Sequence, residues 1–164
     1  MNKKISPLIK GLITGLALLV FALIMYFTKQ TAESNLHYVN YALYAGGVFW
    51  TLFAYSRSEA YTGKFGDIFG QGFRCFVVVT LIMVSFTGIF SKMHPEFADE
   101  AAVAYKEYLL KNEKDRTPAE IEEKVALSKK QYTTGLVSTA IFGYLVMGTI
   151  FTAAGAGILL IRRQ

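Results

Sequence analysis

Few side chains in this sequence of 164 residues could do chemistry. The two histidines, His37 and His94, stand near Glu33, Glu96 and Asp99, and imidazoles beside carboxylates are a donor set for Zn²⁺. The spacing between them crosses two polar links and nothing in it fixes the pair, so the plainer reading is two polar residues at a membrane surface. No metal or cofactor is expected. Cys75 is the only cysteine, which rules out an intrachain disulfide, a cysteine redox pair and a multi-cysteine metal site. Gly63, Gly66, Gly70 and Gly72 alternate with Phe65, Phe69 and Phe73, but no Gly-Lys-Ser/Thr follows them and no strand precedes them, so they do not read as a phosphate loop. Ser85, Ser91 and the hydroxyls near the C-terminus have no base beside them in sequence. The chain is expected to be non-enzymatic, with no catalytic residue.

The elements that hold these residues are dictated by hydropathy. Apolar residues make up 53% of the chain and gather into long runs free of charge. Such runs exceed the needs of a soluble core helix and match the hydrocarbon thickness of a bilayer. The expected fold is all-α, a polytopic four-helix bundle with transmembrane helices at about 8–27, 38–55, 73–90 and 135–161, forming a single membrane domain over 1–164. Gly11 and Gly15 form a Gly-x-x-x-Gly pair in the first, where small residues let two backbones approach. In the second, Tyr38, Tyr41, Tyr44, Trp50 and Tyr55 are placed as interfacial anchors, with Gly46 and Gly47 as a close-contact point. Gly63, Phe65, Gly66, Phe69, Gly70 and Gln71 belong to an interfacial loop leading into the third. Arg74 and Lys10, each at the start of a span, can snorkel to headgroups. The fourth, 135–161, would be about 40 Å long as a straight helix, more than the hydrocarbon core, and carries Gly143, Gly148 and Gly155 as packing positions.

No Asp or Glu falls inside these four runs, which removes the carboxylate that a proton-coupled exporter needs. Between the third and fourth lies a hydrophilic insert, 91–134. Its Lys and Arg at 92, 106, 111, 114, 116, 124, 129 and 130 nearly balance its Asp and Glu at 96, 99, 100, 107, 113, 115, 120, 122 and 123, so it is no nucleic-acid arm. Thr117, Pro118 and Glu120 spell a helix start with a capping box. Stripes at Phe97, Ala101, Tyr105 and Tyr108, and at Ile121, Val125, Ser128 and Tyr132, predict a helical hairpin. The net charge of +5 needs no nucleic acid, because much of it flanks the apolar runs. With both termini cytoplasmic, the inner side receives Lys3, Lys4, Lys10, Arg57, Lys64, Arg74, Arg162 and Arg163, the short outer loop holds only Lys29, and the insert is extracytoplasmic.

Three segments carry a family resemblance: Gly15-Leu16-Ala17, the run from Phe65-Gly66-Asp67-Ile68-Phe69 through Gly70-Gln71-Gly72-Phe73-Arg74, and His94-Pro95-Glu96-Phe97. With them the chain resembles the bacterial four-span membrane proteins catalogued as domain of unknown function 4199. The resemblance implies a multi-pass inner-membrane protein of unknown function and carries over no site residue. Two functions fit: an accessory or scaffold working through helix association and the hairpin, with a membrane-protein partner or a second copy as its contact, or a small transporter or channel-forming oligomer lined by Thr80, Ser85, Thr87, Thr139, Thr149 and Thr152. A membrane enzyme acting on lipid headgroups through His37 and His94 is a third.

Overall fold

A computed structural model of the chain describes residues 5–28, 37–113 and 116–162, and for His37 only the backbone. The described residues form five α-helices and no strand: α1 (Pro7–Phe27), α2 (His37–Ser56), α3 (Phe65–Met93), α4 (Glu96–Asn112) and α5 (Pro118–Ile161). The starts follow capping chemistry. Ser6 accepts a hydrogen bond from the Ile9 amide at 3.3 Å, and Pro7 occupies a first-turn position where its missing N–H costs nothing. At α5 the Glu120 carboxylate accepts from the Thr117 amide at 2.9 Å while the Thr117 hydroxyl accepts from the Glu120 amide at 3.4 Å, so the capping box forms.

Among the described residues, α1, α3 and α5 are the helices long and apolar enough to cross a membrane, and they make this a membrane protein. The stretch 38–55, expected as a span, is helical but outside that set. Asn40 and its tyrosines deny it the strongly apolar 18-residue stretch that each of the other three contains. The helix expected over 73–90 begins earlier, at Phe65, and ends at Met93. Residues 65–72, read from their glycines as a loop, thus form the first turns of α3. The stretch expected as the fourth span, 135–161, is continuous with the second helix of the insert, since α5 runs unbroken for 44 residues from Pro118.

The chain divides into two compact units. The first, Met1–Met83 with Ile141–Gln164, has a core of Leu18, Val48, Leu52, Ile68, Phe76 and Val79, each almost without exposure. Tyr44 is buried in this core. Its hydroxyl donates to the Tyr144 carbonyl at 2.8 Å, and its ring meets Tyr144 and Phe151 edge-on, each at 5.7 Å between centroids. Glycines set how closely the helices approach. A Cβ at Gly11 would lie 2.5 Å from the Cys75 carbonyl oxygen, one at Gly15 2.6 Å from Ile82, and one at Gly155 2.5 Å from Leu52. At Gly47 it would collide with Thr14, at Gly72 with Thr152, and at Gly148 with Tyr44 and Phe76. Gly46 and Gly143 face open space. On α1, Leu8, Leu12, Ile13, Leu16, Val20 and Ile24 remain about half exposed, a continuous apolar face that water would penalise and lipid would solvate.

The second unit is Val84–Ala140. Lys129 pairs with Asp99, and Lys106 with Glu122 at 3.5 Å; the α4 partners are two turns apart, as are those on α5, which places the two helices antiparallel here. Glu113 receives both Arg116 and Lys124. The α4 residues facing inward are Ala102 and Leu109, and Ile121 of α5 is buried as well. Tyr108, expected on that stripe, is 59% exposed. Position 109 continues the seven-residue spacing from 102, and an aliphatic side chain fills it at no hydroxyl cost, so the buried stripe is rotated by one residue.

Candidate functional site

His94 follows directly on α3 and lies tilted against Phe90 and Phe97, at 4.5 Å and 5.8 Å between centroids, while those two rings stack on each other at 6.2 Å. Its Nδ1 lies 2.6 Å from Glu96 Oε1. That contact holds the Glu96 carboxyl below the usual carboxylate range. The His37 side chain lies outside the described residues. Among the described residues no three of His, Cys, Asp or Glu converge as metal ligands.

The proposed hydroxyl path disperses in the same way. Thr80 and Thr149 each donate to the carbonyl one turn back on their own helix, Phe76 and Leu145, at 2.8 Å. Thr152 is buried against Gly72, and its hydroxyl has no partner among the described residues. Ser85, Thr139 and Thr149 are exposed. Cys75 is fully buried, its thiol pointing at the Gly47 carbonyl at 3.9 Å.

Within the first unit, polar chemistry converges at one place that sequence reading passed over. Lys10 is only 7% exposed, and its Nζ lies over the Trp50 ring, 5.6 Å from the centroid. It lines a cavity of about 420 Å³ together with Ser6, Trp50, Thr51, Tyr55, Ser58 and Gln71. Local geometry supplies the parts. The Ser6 cap at the head of α1 sets Lys10 one turn in, and Lys10 in turn gives its carbonyl to the Thr14 hydroxyl at 2.8 Å. Thr14 occupies the space left by Gly47, which brings α2 close enough for Trp50 to reach Lys10. Gly63 adopts φ 72°, a left-handed turn that suits glycine, and Thr62 donates to Asp67 at 2.5 Å at the start of α3. Phe65 and Phe69 stack on each other at 5.8 Å along this first turn, while Gly66 and Gly70 face open space. Gln71 is thereby carried to the cavity wall. Arg74, by contrast, is exposed.

The family described as Protein of unknown function (DUF4199) matches residues 10–160. The chain belongs to that family. No curated protein matches it, and no solved structure does. The DUF4199 match begins at Lys10 itself, so it takes in the cavity's Lys10, Trp50 and Gln71, every tight glycine contact and the whole of the second unit.

Proposed function

We propose that this is a non-enzymatic, multi-pass protein of the bacterial inner membrane that serves as an accessory or scaffold, holding its bundle together at the glycine contacts and meeting a partner through an extracytoplasmic helical hairpin. The observation that carries the reading is the surface of the second unit. Several of its charges pair with one another, at Asp99 and Lys129, Lys106 and Glu122, and Glu113 with Arg116 and Lys124, while Val103, Leu110 and Leu127 stay more than half exposed. A polar module that pairs several of its charges internally and leaves aliphatic side chains exposed has the composition of a contact surface. Four spans with both termini cytoplasmic would put Lys10, Arg57, Lys64, Arg74 and Arg162 on the inner side, the distribution that the positive-inside rule favours.

The test uses single cysteines at Val103 and Leu110 in Cys75→Ser protein, where the buried native thiol no longer competes. Labelling by a membrane-impermeant maleimide in intact cells, with one discrete crosslinked band from the same positions, is the expected result. Labelling only after permeabilisation would place the hairpin in the cytoplasm and overturn the reading. The channel alternative predicts solute flux in proteoliposomes of purified protein. Threonine hydroxyls engaged with their own helix backbones, as at Thr80 and Thr149, give it little support.

A further inference from the structure

Three of the groups that line the cavity at Lys10 are free to donate: the Lys10 ammonium, the Ser6 hydroxyl and the Gln71 amide. Among the described residues no carboxylate pairs with Lys10, and none lines the cavity. The Ser6 oxygen accepts from the Ile9 amide, which leaves its own hydroxyl proton to donate, and the Gln71 amide adds two more N–H groups. Thr51 and Ser58 spend their protons on backbone carbonyls, at 3.0 Å and 2.7 Å. A lysine that is only 7% exposed, beside a hydroxyl and an amide and with no carboxylate paired to it among the described residues, is complementary to a group rich in acceptor oxygens and bearing negative charge. Phosphate is the common group of that kind at a membrane surface. A cavity of about 420 Å³ falls within the range of small-ligand sites.

A second feature of the same unit supplies the rest of the ligand. Leu16, Ala17, Val20, Phe21 and Ile24 of α1 form an open apolar groove of about 430 Å³ with Leu43 of α2. Lys10, Ala17, Phe21 and Ile24 follow one another at steps of seven, four and three, and Trp50 and Leu43 are seven apart, so the groove continues the faces that carry the cavity. From Lys10 to Phe21 is about 16 Å along α1 at ~1.5 Å per residue. A charged head site followed along the same helix pair by an apolar channel has the profile of an amphiphile. We propose that α1 and α2 bind an anionic phospholipid, with its phosphate at Lys10, Ser6 and Gln71 beside the Trp50 ring and one acyl chain along Ala17, Phe21 and Leu43.

Trp50 is the only tryptophan in the chain, so its emission reports this site alone. The experiment titrates the purified full-length protein in a non-ionic detergent with dioctanoyl-phosphatidylglycerol, dioctanoyl-phosphatidylcholine and inorganic phosphate. A saturable change in Trp50 emission is expected with phosphatidylglycerol at the lowest concentration. Lys10→Gln weakens the apparent affinity about tenfold or more, and Lys10→Arg restores most of it. Circular dichroism and gel filtration identify any variant that fails to fold, and Lys10→Arg then decides by its preference for phosphatidylglycerol over phosphatidylcholine. A full response to inorganic phosphate at the same concentrations would assign the site to the free anion and overturn the lipid. Equal responses to the two lipids, or a Lys10→Gln response equal to that of the native protein, would overturn the site itself. Loss of the hairpin crosslink would leave this result untouched.

Discussion

Replacing Gly11 by alanine tests whether glycine contacts set the spacing of the first unit. The added Cβ would stand 2.5 Å from the Cys75 carbonyl oxygen and 3.0 Å from the Val78 Cβ. The oxygen belongs to the α3 backbone and cannot rotate away. A carbon and a carbonyl oxygen in ordinary contact are about 3.3 Å apart, so α1 and α3 must separate by roughly 0.8 Å. Forcing that much into a packed interior costs about 1–3 kcal/mol, and alanine returns up to ~1 kcal/mol as the better helix former. With the full ~1 kcal/mol returned, the balance is a loss centred on about 1 kcal/mol and reaching about 2. Gly46→Ala is the matched control, because its Cβ meets nothing within 4 Å and only the propensity gain remains. Thermal unfolding in detergent, followed by Trp50 emission, should show Gly11→Ala lowering Tm by about 2–8 °C and Gly46→Ala leaving it unchanged or raised. A Gly11→Ala protein as stable as the native one, or a Gly46→Ala protein equally damaged, would refute the reasoning.

Three further outcomes follow from single contacts. Tyr44→Phe removes the hydroxyl that joins α2 to the Tyr144 carbonyl and should cost about 0.5–1.5 kcal/mol in the same unfolding assay, with Tyr41→Phe, at an exposed site, near zero. Thr117→Ala breaks the capping box, and hydrogen exchange of the first turn of α5 should quicken about fivefold while the turns beyond Gly135 keep their protection. The Glu96 carboxyl, held low by His94, should titrate below its ordinary value when followed by NMR of its side-chain carbonyl, and His94→Ala should move it up. Because the folded value is depressed, the stability contributed by this pair is present above the unfolded carboxylate range and is lost as pH falls through the folded value.

Sequence patterns revealed the elements more faithfully than their edges. The charge-free runs of α1 and of the second half of α5 were plain, because a membrane admits few other readings of twenty apolar residues. The capping box was plain too, since its three residues lie within one turn. The link at 63–72 was read as a loop because its glycines recur every two to four residues and glycine weakens a helix in water. Gly72 has a different purpose there: it admits the side chain of Thr152, eighty residues away in the chain. The rotated stripe on α4 has a similar cause. Ala101 with Tyr108 and Ala102 with Leu109 are equally regular pairs, and only tertiary packing, which buries Ala102 and Leu109, selects the second.

Lys10 shows where local reading stops. A lysine at the start of a span is ordinarily a snorkelling residue, its stem in the hydrocarbon and its ammonium in water, and nothing within ten residues of it indicates otherwise. Its burial comes from a chain of small-residue choices elsewhere. Gly47 accepts Thr14, α2 therefore comes close to α1, and Trp50 arrives over the ammonium. The same argument makes Gly47 a remote determinant of the cavity. Gly47→Ala would push Thr14 aside and part the two helices, so Trp50 should lose its place beside Lys10 while every residue lining the cavity is kept. Its emission should then respond to phosphatidylglycerol as weakly as in Lys10→Gln. If Gly47→Ala folds and binds phosphatidylglycerol like the native protein, the cavity does not depend on this helix approach, and the derivation of the site from sequence to packing fails at that step.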